Sequence, residues 1–182
     1  MPWGGLAVRA WWRAARPNPF FRLGLLVALG VIVLDQLTKH WILYGIRLPD
    51  RFGNRIEISG IFDLTYVENT GVSFGLFAGG LASRVLLSVL AVVVAAYVVR
   101  WLGTLHRRVA AIGGGFIVGG ALGNVYDRVL YGYVVDFLDF SGLHFPFVFN
   151  VADAAINVGV ACLVYDALFV APKRELTETT DA

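Results

Sequence analysis

Residues 109–128 read VAAIGGGFIVGGALGNVYDR. Gly113, Gly114, Gly115, Gly119, Gly120 and Gly123 recur at overlapping small-xxx-small spacings, the pattern that lets a second backbone approach a helix closely in lipid. The run ends in Asn124, Asp127 and Arg128, so the expectation is a packed inner membrane helix with polar side chains gathered at one end. Three more apolar stretches surround it, at residues 23–43, 83–102 and about 147–170, each close to the ~20 residues that cross a hydrocarbon core. With the third span drawn from 109 to about 126, the prediction is four transmembrane helices.

Composition agrees with lipid as the solvent. Of the 182 residues 58% are hydrophobic and 15% charged, with a mean hydropathy of +0.70. An ordinary soluble domain carries about a quarter charged residues. One membrane-embedded domain over 1–182 is the natural reading. A net charge of +2, with basic residues flanking apolar runs, excludes a nucleic-acid stripe. Cys162 is the single cysteine, so neither a disulfide nor a thiol pair is available. Arg9, Arg13, Arg16 and Arg22 precede the first apolar run as in a secretory signal. No small-residue cleavage site follows, and the pattern continues through Asp35, Leu37, Trp41 and Ile42, which predicts an uncleaved anchor. Trp3, Trp11 and Trp12 suit the interfacial zone.

Basic residues orient the spans. Nine Lys and Arg lie in residues 1–22, 100–108 and the tail, against Arg47, Arg51, Arg55 and Arg128 on the other side, so both termini are expected in the cytoplasm. The N-terminal extension 1–21 and the tail 172–182 are then cytoplasmic. Residues 44–82 fall outside. They contain Pro49, the Gly53-Asn54 pair and alternating runs at Ile56-Glu57-Ile58 and Phe62 to Val67, which read as short strands joined by turns. The fold class expected is an all-α membrane protein with a small extracytoplasmic β-sheet between its first and second helices.

On this topology the polar residues collect on the outer side: Asp35, Lys39, Asn124, Asp127, Arg128, Asp136, Asn150, Asp153 and Asn157. Ionisable groups at membrane depth are expensive and mark functional cavities. Asn150, Asp153 and Asn157 share one helix face, and Gly120, Asn124 and Arg128 share another, so two polar stripes can face each other. With the last span starting near Phe147, Asp153 is expected roughly 9 Å along the helix at 1.5 Å per residue. Asp136 sits in the apolar run Tyr133-Val134-Val135-Asp136-Phe137 after Gly132 and is expected to tuck inward. Two carboxylates in one desolvated pocket cannot both ionise cheaply; one keeps a proton while the other activates water, the division of labour of aspartic proteases.

Five motifs in order carry a resemblance: Asp35-Gln36-Leu37-Thr38-Lys39, Asn69-Thr70-Gly71-Val72-Ser73-Phe74, Gly119 to Arg128, Val134-Val135-Asp136-Phe137 and Phe149-Asn150-Val151-Ala152-Asp153. The set closely resembles the lipoprotein signal peptidases, or signal peptidase II, over about residues 22–171. The resemblance implies Asp136 and Asp153 as catalytic dyad. Asn69, Gly71, Asn124, Arg128 and Asn150 would line or brace the substrate site, and Asp35 and Lys39 would support the first helix. It implies removal of signal peptides from diacylglyceryl-modified bacterial prolipoproteins, just before the lipid-bearing cysteine. It also implies a monomer in the bacterial plasma (inner) membrane, among membrane lipids, with its active site toward the outer leaflet and neither metal nor organic cofactor.

Other readings compete at single residues. Asp35 and Lys39 can form an i, i+4 pair with Lys39 snorkelling outward. Asn124 and Arg128 can cap the third helix, Asn157 can bond between helices, and Cys162 reads as buried filler. Asp127 and Asp139 are rival partners for Asp153, and Asp166 belongs to the inner boundary. Gly71-Val72-Ser73-Phe74-Gly75 fits a nucleophile elbow, yet the chain lacks room for the α/β sheet that motif needs. His40, His106 and His144 are scattered, with no His-Glu-x-x-His pair for zinc. A proton or ion conductor predicts polar residues through the inner half, where residues 89–99 and 158–164 are almost wholly apolar. A noncatalytic lipoprotein-binding chaperone predicts that Asp136→Asn and Asp153→Asn retain function.

Overall fold

The structure is a computed structural model, and it describes residues 3–71 and 80–170, with side chains from residue 7 onward. The tail expected over 172–182, residues 72–79 of the segment expected outside, and Val72, Ser73 and Phe74 of the second motif and the elbow pattern lie outside the described residues. Four helices among those described are long and apolar enough to cross a membrane.

A short helix comes first. α1 (Trp3–Ala15) was not foreseen within the N-terminal extension; it ends before Pro17, and Asn18 then caps α2 (Pro19–His40) by accepting from Phe20 N at 2.9 Å. Asn18 also donates to the carbonyls of Gly103 and Leu105, tying the start of α2 to the turn between α3 (Leu81–Leu102) and α4 (Arg108–Leu130). α2 continues through a π-helical turn, Trp41–Gly45. α5 (Val151–Tyr165) ends the bundle with a second such turn, Asp166–Val170.

α4 is the central helix and packs on α2, α3 and α5. The close approach is specific: a Cβ at Gly119 would stand 2.6 Å from Ala28 O of α2, and one at Gly120 would stand 2.3 Å from Ala152 O of α5. Both distances are below any real Cβ contact, so glycine alone permits these crossings. The apolar residues of α2 and α3 that face outward, among them Leu26, Leu29, Val89 and Val93, are exposed as a lipid-facing belt requires.

Beyond the bundle lies a four-stranded antiparallel sheet, β1 (Arg55–Glu57), β2 (Asp63–Asn69), β3 (Val134–Asp139) and β4 (Val148–Phe149), in chain order. Its first two strands come from the segment that alternation marked. The other two follow α4, so the sheet is wider than that segment alone supplies. β2 pairs with β3 through Val67↔Asp136 and Asn69↔Val134. Val135 and Phe137 point to one face and pack with Ile42, Leu48 and Leu64; Asp136 points to the other. The alternation of β3 thus aims its single inner carboxylate at the end of α5.

Several expectations are corrected. Residues 148–149 form β4, so the last helix starts at Val151 rather than near Phe147, and Asp153 stands in its first turn instead of a turn and a half inside. The cause is Asn150, whose extended backbone and short polar side chain make it an N-cap. α4 runs on to Leu130, so Asp127 and Arg128 are helical and Asn124 is an interior residue, not a cap. Asn157 is exposed and donates to Asp153 O of its own helix, not across helices. Cys162 is half-buried. Asp166 is buried and pairs with Arg107 at the end of the bundle away from the sheet.

Candidate active site

Each acid of the expected dyad is delivered by a different element. Asp136 comes from the middle of β3 and is 1% exposed. Asp153 comes from the first turn of α5 and is half-buried. Asn150 joins them. Its side-chain amide donates to Asp136 Oδ1 at 2.6 Å, its side-chain oxygen accepts from Asp153 N at 2.9 Å, and its own N–H donates to Asp153 Oδ2 at 3.4 Å. The last two bonds form a capping box, so Asp153 helps to start the helix that positions it.

The remaining amides have defined orientations. Asn69 Oδ1 accepts from Gly71 N at 2.9 Å, which leaves its Nδ2 to donate to Asp136 Oδ2, also at 2.9 Å. Asn69 and Asp136 are diagonal neighbours on one sheet face. Gly71 closes this turn with φ +81°, and a Cβ there would stand 2.3 Å from Leu87 Cδ1. On α4, Asn124 Oδ1 accepts from Lys39 Nζ and from Asn150 Nδ2, each at 3.2 Å, so its Nδ2 faces Asp153 Oδ1 at 2.7 Å. The two stripes expected to face each other do so through this last bond. Arg128 bonds back to Asn124 O at 3.5 Å, and its charge reaches both Asp153 and Asp136.

Burial pushes the Asp136 carboxyl up to about 6, with the neighbouring Asp153 charge adding to the rise and the amides of Asn69 and Asn150 opposing it. A cleft of about 360 Å³ lies between residues 67–70 and 146–148, with Asp136 in its wall. Of the two acids, Asp136 is the one that lines this cleft, which opens on the sheet side.

Lys39 does not snorkel. It is 1% exposed, with its ammonium 2.8 Å from Asp35 and 2.7 Å from Asp127, both themselves fully buried. Asp127, the alternative partner considered for Asp153, is bonded instead to Lys39 and Gln36. Asp139 is likewise engaged elsewhere, accepting from Thr65 and from Ser141 N. Asp127, expected on this side only as an alternative acid, is thus a partner of Lys39, and Gln36, to which no role was assigned, bonds both Asp35 and Asp127. Their place in the motifs Asp35-Gln36 and Asp127-Arg128 was the available signal. Among the described residues no cluster of three His, Cys, Asp or Glu side chains converges as a metal site would.

Comparison with known proteins gives a consistent result. A family model described as Signal peptidase (SPase) II matches residues 27–169. A lipoprotein signal peptidase of Caulobacter vibrioides is 43% identical over 156 residues, covering 85% of this chain and 91% of the relative. One from Rhizorhabdus wittichii is 45% identical over 163 residues, covering 88% and 94%. Among solved structures, a bacterial membrane enzyme determined at 1.9 Å by the in meso method superposes with a TM-score of 0.69 at 27% identity, covering 80% of this chain and 92% of that one.

Proposed function

The chain belongs to the signal peptidase II family, and from that premise we propose that it is an aspartyl endopeptidase removing signal peptides from diacylglyceryl-modified prolipoproteins. Membership makes it a bacterial membrane protease. The observation that carries the finer reading is the meeting of Asp136 and Asp153 on the two ends of one asparagine, beside a cleft that a peptide can enter.

The roles follow from where each acid sits. Asp136, buried and pushed up to about 6, keeps the shared proton. Asp153, in the first turn of α5 where the helix dipole favours negative charge, acts as the base. It takes a proton from the water as its oxygen bonds the scissile carbonyl carbon, and Asp136 gives its proton to the carbonyl oxygen. On collapse Asp153 returns its proton to the leaving amine as the C–N bond breaks, and Asp136 recovers the hydroxyl proton. No metal or organic cofactor takes part. Asn69, Asn124 and Asn150 keep the carboxylates aimed, Gly71 shapes the cleft's edge, Arg128 offers its charge to developing negative charge, and Asp35 and Lys39 brace the site.

The distribution of basic residues supports a protein with both termini cytoplasmic and the sheet, cleft and dyad toward the outer leaflet of the plasma membrane. The whole chain acts as one peptidase domain and as a monomer, admitting its lipid-anchored substrate sideways between lipid and sheet. The cut falls just before the lipid-bearing cysteine. Purified protein in detergent is expected to cleave a diacylglyceryl-modified precursor and to leave the unmodified precursor intact. Equal cleavage of both removes the lipid from the reading, and cleavage of neither removes the peptidase.

A further inference from the structure

Lys39 has three N–H donors and spends each on a different acceptor: Asp35 Oδ2, Asp127 Oδ2 and Asn124 Oδ1. Where those three acceptors lead is the informative point. The other oxygen of Asp35 accepts from Ala152 N at 2.9 Å, and Ala152 immediately precedes Asp153. Asp127 Oδ2 also accepts from Val135 N at 3.1 Å, and Val135 immediately precedes Asp136. Asn124 passes from Lys39 to Asp153 itself. Gln36 closes the base by donating to both acids, Asp35 at 3.1 Å and Asp127 at 2.9 Å. One buried ammonium is thus joined, through two carboxylates, to the backbone just ahead of each dyad residue.

We propose that Asp127, together with Asp35 on the shared Lys39 hub, sets the separation of Asp136 and Asp153, and that Asp127 is a positioning residue for the reaction rather than a helix brace alone. The inference rests on the dyad reading above. The two arms are rigid for a physical reason: the ion pair is dry, and each carboxylate grips a main-chain N–H, so neither β3 nor the start of α5 can slide without breaking a charge-assisted bond. A displacement of about 1 Å at reacting groups costs on the order of 10²-fold in rate. Apart from Asp136, the cleft is lined by residues 67–70 and 146–148, none of which bonds to the hub, so the expected loss falls on turnover more than on substrate binding.

The test is a steady-state comparison on the full-length enzyme with a lipidated precursor, scaled to folded protein by size-exclusion profile and thermal melt. Asp127→Glu keeps the charge and the pair with Lys39 but its added methylene displaces the bond to Val135 N. Its kcat is expected to fall about 10²-fold with KM held within about twofold, and the alkaline limb of its pH profile to move down as the separated acids lose their shared proton more readily. Asp127→Asn, which can keep an oxygen on both Lys39 and Val135 N, is expected to recover most of that kcat. Should the longer side chain prevent folding, Gly123→Ala applies the same test from the other arm, because its Cβ would stand 2.8 Å from Asp35 Oδ2 and press it aside while every hub group remains. Unchanged kcat and an unmoved pH limb in whichever variant folds overturn the proposal, as does a loss of melting temperature without loss of kcat. Asp136→Asn and Asp153→Asn run beside them. If those retain activity, the dyad reading fails; if they are dead while the displaced variants are normal, only the positioning role fails.

Discussion

Two pairs of aspartates lie a few bonds apart at the sheet end of the bundle, and they differ in what faces them. Asp35 and Asp127 share an ammonium, at 2.8 and 2.7 Å. Asp136 and Asp153 accept side-chain hydrogen bonds from amides only, those of Asn69, Asn150 and Asn124, among the described residues. An ammonium between two acids fixes their geometry, so the first pair can hold backbone in place. Amides orient the second pair, which on the proposed mechanism shares one transferable proton. Burial alone does not separate brace from reagent, since Asp35, Asp127 and Asp136 are all at most 1% exposed.

The comparison is most sharply broken at the proposed dyad. Asp136→Asn and Asp153→Asn are each expected to lower cleavage by about 10³-fold or more in a precursor-cleavage assay, with the fold retained. Asp136→Asn should melt no lower than the parent, because a desolvated carboxyl is replaced by a neutral isostere. At the brace the expected change is in stability. Lys39→Met leaves two buried acids without their cation and costs about 3–5 kcal/mol in denaturant unfolding, part of which Asp127→Asn returns in the double variant.

The pH dependence sharpens the difference further. The folded chain holds the Asp136 proton to about 6, whereas an unfolded aspartate releases it near 3.8, so between those values the unfolded state binds fewer protons and stability declines as pH rises. Above about 6 that decline levels off. Cleavage should fall along an alkaline limb that begins near or above the same value as the shared proton is lost. In Asp153→Asn the Asp136 carboxyl, followed by its infrared band, should titrate lower than in the parent yet still above 3.8, because burial is the larger cause of its rise. The smallest effect belongs to an ion pair in water. Arg47 and Asp50 are 72% and 58% exposed, and Arg47→Gln is expected to change unfolding free energy by at most about 1 kcal/mol.

Much of this was legible in the chain and some was not. The four spans were, because apolar length is a local property: residues 81–102 announce a helix whatever they pack against. The glycines of α4 announced close contact, though not that Gly120 meets Ala152. The polar set around Asp136 and Asp153 was legible from motif order. The depth of Lys39 was not, since an i, i+4 pair looks the same whether it opens to water or closes around a third acid from residue 127. The start of α5 was misplaced because Phe147 to Phe149 is as apolar as a helix, and only pairing with β3 makes Val148 and Phe149 a strand.

Composition, hydrophobic run length and the order of polar motifs therefore suffice to establish a four-helix membrane protein of a protease family and to name the candidate residues of its site. The proposed division into bracing and reacting aspartates turns on third partners: Lys39 stands between one pair, and amides from three different elements stand around the other. Hydrogen-bond partners drawn from β2, α4 and the cap of α5 exist only after the helices have packed, and a charge takes its chemical role from those partners rather than from its own place in the chain.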